Sequence, residues 1–219
     1  MIVCFVMVAS IASAATCGGV GNVIFATGSG GNGSVLSGLV SPAAASCDLG
    51  GYTFSDWTLV LASGFPGTSN TFIMNFGPGT GVSGGLVTLD FSFTGLTPGQ
   101  DIRLFYSISP GILGMTLGVS GNGSANVGET ICSASNQTGL TCPPGTTLAN
   151  FGATANSLVT ASVTFAAKDW VGKDITAGSA ANSTLSEISQ SIIPEPMTLT
   201  LFGAGLLGLG ALGRRRLHR

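Results

Sequence analysis

Gly81-Val82-Ser83-Gly84-Gly85 carries the G-x-S-x-G spacing of a nucleophile elbow, where a tight turn presents a serine hydroxyl for attack. Such a serine needs an adjacent base, almost always histidine, to take its proton. The only histidine in the 219 residues is His218, at the far C-terminal end and outside the body of the chain. A Ser-His-Asp site is therefore excluded from the body, and a cysteine nucleophile fails for want of the same base. Three stretches, Gly28–Gly33, Gly79–Gly84 and Gly203–Gly208, fit G-x-G-x-x-G. A dinucleotide site needs a strand before that loop and a helix after it, so that amides at the helix start meet the phosphates. The first two open no helical pattern, and the third lies within a long apolar run. Three matches in a chain with 35 glycines measure the chance rate.

Two carboxylates flanking a bond would suit glycoside hydrolysis. Asp48 with Asp56, and Asp169 with Asp174, are the pairs close in sequence. Solvated loop acids, or half of a calcium site lacking its other ligands, account for them as readily. With so few titratable groups, the expectation is a protein that is not an enzyme and has no cofactor or metal site. Aromatic residues carry the binding alternative, since sugars stack on exposed rings. Trp57 and Trp170 are the candidate glycan contacts, with Tyr52 and Tyr106 behind them, and Trp170, between Asp169 and Val171, is the least core-like. Four N-x-S/T triplets begin at Asn32, Asn122, Asn136 and Asn182, a number that a Ser/Thr-rich chain reaches by chance.

Between residues 16 and 193 the basic residues are Arg103, Lys168 and Lys173, against eight acids, for a net charge of −5. With no basic cluster there, nucleic-acid binding is disfavoured, and no nucleic-acid partner is expected. Of five cysteines, Cys4 lies in the apolar amino-terminal run; Cys17, Cys47, Cys132 and Cys142 remain. An even count in an exported chain reads as two disulfides, and metal binding is disfavoured without a C-x-x-C or a histidine. Four cysteines allow three pairings. Cys17–Cys47 with Cys132–Cys142 is favoured because each bond then closes a local loop.

The elements that must position these residues are short strands. Tyr52–Leu61 and Thr71–Phe76 are rich in aromatic and β-branched residues and bounded by Pro-Gly turns. In Leu86–Phe93, Val87, Leu89, Phe91 and Phe93 alternate with Thr88, Asp90 and Ser92, the pattern of a strand with one buried face. Asp101–Ser109 alternates likewise, and Pro98-Gly99 between the two runs predicts an antiparallel hairpin. Val23–Phe25, Ile112–Val119, Val127–Cys132, Leu158–Phe165, Val171–Thr176 and Leu185–Ile192 continue the series. No stretch of the body shows a helical apolar stripe. An all-β fold follows, an antiparallel β-sandwich of jelly-roll or Ig-like topology.

The two ends read differently from the body. Ile2–Ile11 is a short apolar run followed by Ala12-Ser13-Ala14-Ala15, a small-x-small cleavage pattern, so residues 1–15 are expected to be a signal peptide. No Lys or Arg precedes that run. At the other end, Pro194-Glu195-Pro196 is followed by the uncharged apolar run Met197–Gly213 and then by Arg214, Arg215, Arg216 and Arg219. As a helix that run reaches about 25 Å, enough for a thin bilayer. Arginines beyond it favour the cytoplasmic side, leaving the body outside.

This tripartite tail resembles the PEP-CTERM sorting signal of Gram-negative bacteria. The resemblance implies an exosortase as processing partner, with Pro194, Glu195, Pro196, Arg214, Arg215 and Arg216 as the sorting motif, and transient membrane insertion as a single helix. The body also resembles a recurring type of PEP-CTERM protein. The matching segments are Cys47–Ser55 (CDLGGYTFS), Glu129–Cys132 (ETIC) with Cys142 downstream, and Lys173–Ile175 (KDI), and this likeness also supports the Cys132–Cys142 pairing. The expected organisation is a signal peptide over 1–15, a β-sandwich over 16–193 and a sorting signal over 194–219. The expected function is non-catalytic: a structural or adhesive protein sorted through the inner membrane to the cell surface or exopolysaccharide matrix. The alternatives are a carbohydrate-binding module at the cell surface and, behind it, a carboxylate-dependent glycoside hydrolase.

Overall fold

A computed structural model describes residues 15–17, 23–26, 35–37, 46–65, 73–77, 79–83, 85–135, 140–164 and 166–193. The expected signal-peptide run before Ala15 and the sorting tail, Pro194 to Arg219, lie outside the described residues. Among the described residues there is no helix, and so none long and apolar enough to cross a membrane.

Fifteen strands build the described chain: β1 (Ala15–Thr16), β2 (Val23–Ala26), β3 (Val35–Ser37), β4 (Ser46–Leu49), β5 (Tyr52–Ser63), β6 (Ile73–Phe76), β7 (Gly81–Ser83), β8 (Leu86–Thr94), β9 (Asp101–Ser109), β10 (Gly114–Asn122), β11 (Asn126–Cys132), β12 (Thr147–Thr154), β13 (Ser157–Ser162), β14 (Asp169–Thr176) and β15 (Thr184–Ile193). They form two sheets. Sheet A runs β1-β4-β5-β9-β14-β11-β12 with β3 also on β5, and sheet B runs β13-β10-β15-β8-β6-β2 with β7 also on β8. The pairings are antiparallel except for the short parallel contact of β1 with β4. The last eight strands nest: β8 pairs with β15 and β10 with β13 in sheet B, while β9 pairs with β14 and β11 with β12 in sheet A.

Both sheets turn an apolar face inward, and the result is the expected all-β sandwich. Val87, Leu89, Phe91 and Phe93 of β8 face Ile102, Leu104, Tyr106 and Ile108 of β9 across one core. The β8–β9 hairpin expected around Pro98-Gly99 is therefore corrected. The connection carries the chain from sheet B to sheet A, and the two strands meet through side chains rather than backbone hydrogen bonds. Two half-buried strands show the same alternation whether they pair edge to edge or stack face to face. A true tight hairpin joins β4 to β5, where Gly50 (φ 60°) and Gly51 (φ 88°) take the positive dihedrals that a two-residue turn requires. Disulfides join Cys17 to Cys47 and Cys132 to Cys142.

Candidate functional site

The strand β5 changes face midway. Tyr52 and Phe54 point into the core at even positions, whereas Trp57, Leu59 and Leu61 do so at odd ones. The switch is a β-bulge between Ser55 and Thr58, with Asp56 in the left-handed region at φ 58°, which aspartate tolerates better than most residues. The bulge has two consequences. It drives Trp57 into the core, and it lifts the Asp56 carboxylate onto the outer face of sheet A.

Trp57 is thereby removed from the candidate glycan contacts. It is 2% exposed, stacks on Tyr106 at a 4.7 Å centroid separation and meets Phe76 and Phe91 edge-on. Tyr52 and Tyr106 are buried as well. Trp170 takes the opposite course. On β14 the odd residues Asp169, Val171 and Lys173 are buried, so Trp170 lies on the outer face and is half-buried.

Around Trp170 the register assembles a polar cluster from three strands. Trp170 stands opposite Ser107 of β9 on one side and the disulfide-bonded Cys132 of β11 on the other, and Ser107 stands opposite Ser55 of β5. Asp56 Oδ2 accepts hydrogen bonds from Ser107 Oγ at 2.7 Å, Lys168 Nζ at 2.8 Å and Ser55 Oγ at 3.1 Å. Partial burial alone would raise the Asp56 pKa, but these three donors and the Lys168 charge hold it below the usual carboxylate value. The Lys168 ammonium also lies 4.5 Å from the Trp170 ring centroid, a cation–π contact that covers one ring face. Four residues along β11 from Cys132, roughly 13 Å away, the facing pair Gly128 and Gly152 leaves bare backbone. A groove of about 470 Å³ runs there, with Asn126 and Thr154 on its rim.

The carboxylate pairs close in sequence do not assemble. Asp169 and Asp174 lie on opposite faces of β14, with Asp169 at 0% exposure and its Oδ2 accepting the Ile112 N–H at 2.7 Å. Burial pushes the Asp169 pKa up to about 6. Asp48 accepts from Thr53 Oγ1 at 2.7 Å, and Asp56 serves the cluster described above. The sheets bring together other acids, far apart in the chain. Asp101 and Asp174 share a hydrogen bond beside Arg103, and burial together with the Asp174 charge raises the Asp101 pKa to about 6. Glu187 contacts Asp90 on the outer face of sheet B, and burial followed by the Asp90 charge raises its pKa. Ser83 sits exposed on β7 and leads through Gly85 into a second strand, so the G-x-S-x-G stretch forms no strand-to-helix elbow.

A second polar network crosses the core. Lys173 and Glu129, opposite each other on β14 and β11, form an ion pair in which both side chains are 0% exposed. Gln190 of β15 bridges the sheets, with Nε2 donating to Glu129 Oε1 at 3.3 Å and Oε1 accepting from the Tyr106 hydroxyl. Nothing local in the sequence joins Glu129 to Lys173, since the β11–β14 register alone brings them together.

No family model matches the chain. No curated protein matches it either. Among solved structures, a carbohydrate-binding module described as TmCBM61 in complex with beta-1,4-galactotriose is 5% identical, covering 62% of this chain and 83% of that one at a TM-score of 0.31. A structure described as CBM4 is 11% identical over 57% of this chain and 88% of its own, at a TM-score of 0.29. The family 11 carbohydrate-binding module of the Clostridium thermocellum cellulase Lic26A-Cel5E is 14% identical over 81% and 96%, at 0.27. At TM-scores this far below 0.5 these likenesses carry no argument, and the fold assignment rests on the strand pairing itself.

Proposed function

We propose that this chain is an exported, disulfide-stapled β-sandwich of jelly-roll topology that associates with polysaccharide at the cell surface or in the exopolysaccharide matrix, in a structural or adhesive role. The Ile193–Arg219 stretch directs it there. Membrane insertion of Met197–Gly213 and exosortase processing near Pro194-Glu195-Pro196 follow from the resemblance of that tail to a sorting signal. The nested pairing of the last eight strands favours the jelly roll over an Ig-like order. Two disulfides suit an oxidising compartment.

The observation that carries the polysaccharide reading is the outer-face cluster of Trp170, Lys168, Asp56, Ser55 and Ser107. It sets an aromatic ring beside partly exposed carboxylate and ammonium groups on the outer face of sheet A, with the buried Ser107 hydroxyl beneath them, the mixture that sugar recognition uses. Because Lys168 covers one ring face, a sugar stacked on that face displaces the ammonium from the ring. Catalysis is not part of the proposal, since Ser83 lacks a base and the candidate carboxylate pairs do not flank a common space. The test is co-sedimentation of the full chain with the exopolysaccharide of its host. Trp170→Ala is expected to weaken binding at least tenfold while leaving the unfolding midpoint within a few degrees. Undiminished binding by this variant would remove Trp170 from the site, and no binding by wild type would leave only the structural role.

A further inference from the structure

Three strands converge on the outer face of sheet B. Asn75 of β6 stands opposite Ser92 of β8, and Ser92 stands opposite Glu187 of β15. Asp90, two residues from Ser92, shares their face. Asp90 is 4% exposed, yet its Oδ1 accepts no hydrogen bond, and neither does the buried Oδ1 of Asn75. The Glu187 carboxyl lies within hydrogen-bond reach of Asp90. Asp90 Oδ1 and Asn75 Oδ1 are thus buried acceptors without a donor, on the face that also carries the Glu187 carboxyl.

Among the described residues no side-chain cation is left to neutralise them. The three basic residues between 16 and 193 are engaged elsewhere: Arg103 with Asp174, Lys168 with Asp56 and Lys173 with Glu129. The backbone closes over the carboxylate instead. Gly77 N–H donates to Asp90 O at 2.8 Å, Asp90 N–H donates to Thr80 Oγ1 at 3.0 Å, and that hydroxyl donates back to Asp90 O at 3.1 Å. These bonds bring Gly79 so close that a Cβ there would sit 1.6 Å from Asp90 Oδ2. The turn holds an acidic group out of bulk water and leaves its Oδ1 without a donor, a costly arrangement that a bound cation would relieve.

We propose that Asn75, Asp90 and Glu187 form a Ca²⁺ site on the outer face of sheet B, with Ser92 and water completing the shell. The donors are hard oxygens of mixed type, which suit calcium with its flexible six to eight ligands better than octahedral magnesium, and they include no nitrogen or sulfur for zinc. No three His, Cys, Asp or Glu side chains cluster among the described residues, so only two carboxylates contribute. Two charges place the dissociation constant in the range of extracellular modules, roughly 10⁻⁴–10⁻³ M. The site lies on the opposite sheet from Trp170, so its fate is separable from that of the polysaccharide reading.

The test follows the thermal midpoint and calorimetric binding of the full chain in EDTA, in calcium and in magnesium, each cation at up to about 10 mM. Wild type is expected to rise in midpoint with calcium and to respond at least tenfold more weakly to magnesium. Glu187→Gln and Asn75→Ala, both at positions that are not fully buried, are expected to weaken calcium binding at least tenfold. Asp48→Asn, on the other sheet, keeps the wild-type response. A wild-type midpoint and calorimetric trace indifferent to calcium would overturn the proposal. So would a calcium response in Glu187→Gln equal to that of wild type, or equal responses to the two cations.

Discussion

Lys173 Nζ lies 2.5 Å from Glu129 Oε2 across the β11–β14 register, in the core of the sandwich. Burial pushes the Glu129 pKa up and the Lys173 pKa down, and their mutual attraction opposes both shifts. The pair also discriminates between registers. A slip of two residues would keep every apolar side chain of β14 facing inward, but it would set the ammonium opposite Val127 or Ile131. Glu129→Gln or Lys173→Met alone is expected to cost about 3–5 kcal/mol, because each strands the other charge. The double replacement by apolar residues recovers most of that loss. Urea unfolding of the two single variants and the double variant, read as a double-mutant cycle, measures the coupling.

Asp169 and Asp101 give a signed pH dependence. Both have folded pKa values raised from 3.8 to about 6, so the fold prefers their protonated forms. The stability they contribute is fully present below about pH 3.8 and is lost as pH rises through about 6. Asp56, held below its usual value, contributes in the opposite sense, with stability lost in acid. Asp169→Asn is expected to raise the midpoint at neutral pH and to flatten its decline between about pH 4 and 6. Thermal melts across that range check both, and an unchanged slope would refute the assignment to Asp169.

The disulfides differ in the loop each closes. Cys132–Cys142 spans a separation of 10 residues and Cys17–Cys47 one of 30. On loop entropy, replacing the first pair by serine costs about 3 kcal/mol and the second somewhat more. Cys132 also stands opposite Trp170, so loss of the first bond is expected to weaken polysaccharide binding as well as stability, while loss of the second affects stability alone. Denaturation and co-sedimentation of the two double-serine variants separate these effects.

Gly64 marks a close approach that admits no side chain. Its φ is 78°, and a Cβ would fall 2.2 Å from the Gly99 carbonyl oxygen. Gly64→Ala is expected to lose more than about 1 kcal/mol, since it combines the left-handed strain with a backbone clash. Gly51→Ala, at φ 88° with open space around it, carries only the strain and is expected to lose less. Paired unfolding midpoints test the order.

Much of the sandwich was legible from side-chain alternation. Leu86–Phe93 and Asp101–Ser109 announced their buried faces, and observed β8 and β9 match them closely. Alternation does not say which sheet a strand joins, and there the expected hairpin failed. β12, Thr147–Thr154, escaped notice because Ala, Asn and Gly dilute its pattern; it is a strand through its ladder to β11. Trp57 was misjudged although its signal was present. The apolar positions of Tyr52–Leu61 shift from even to odd across Ser55–Trp57, and that shift is the bulge. The pairs Asp101–Asp174 and Asp90–Glu187 had no local signature, since each depends on a register between strands remote in the chain. The Cys132–Cys142 pairing was accessible because both partners lie within one short loop.

The strand β15 has a position that matters for how the molecule is made. It lies between β8 and β10, hydrogen-bonded to both, and ends at Ile193. Every earlier strand leaves the ribosome first, yet sheet B stays split into two halves until these last residues arrive. Completion of the domain is thus a late event, gated by the segment that adjoins Pro194. A chain interrupted before residue 184 leaves the facing edges of β8 and β10 unpaired, and unpaired strand edges template association between copies.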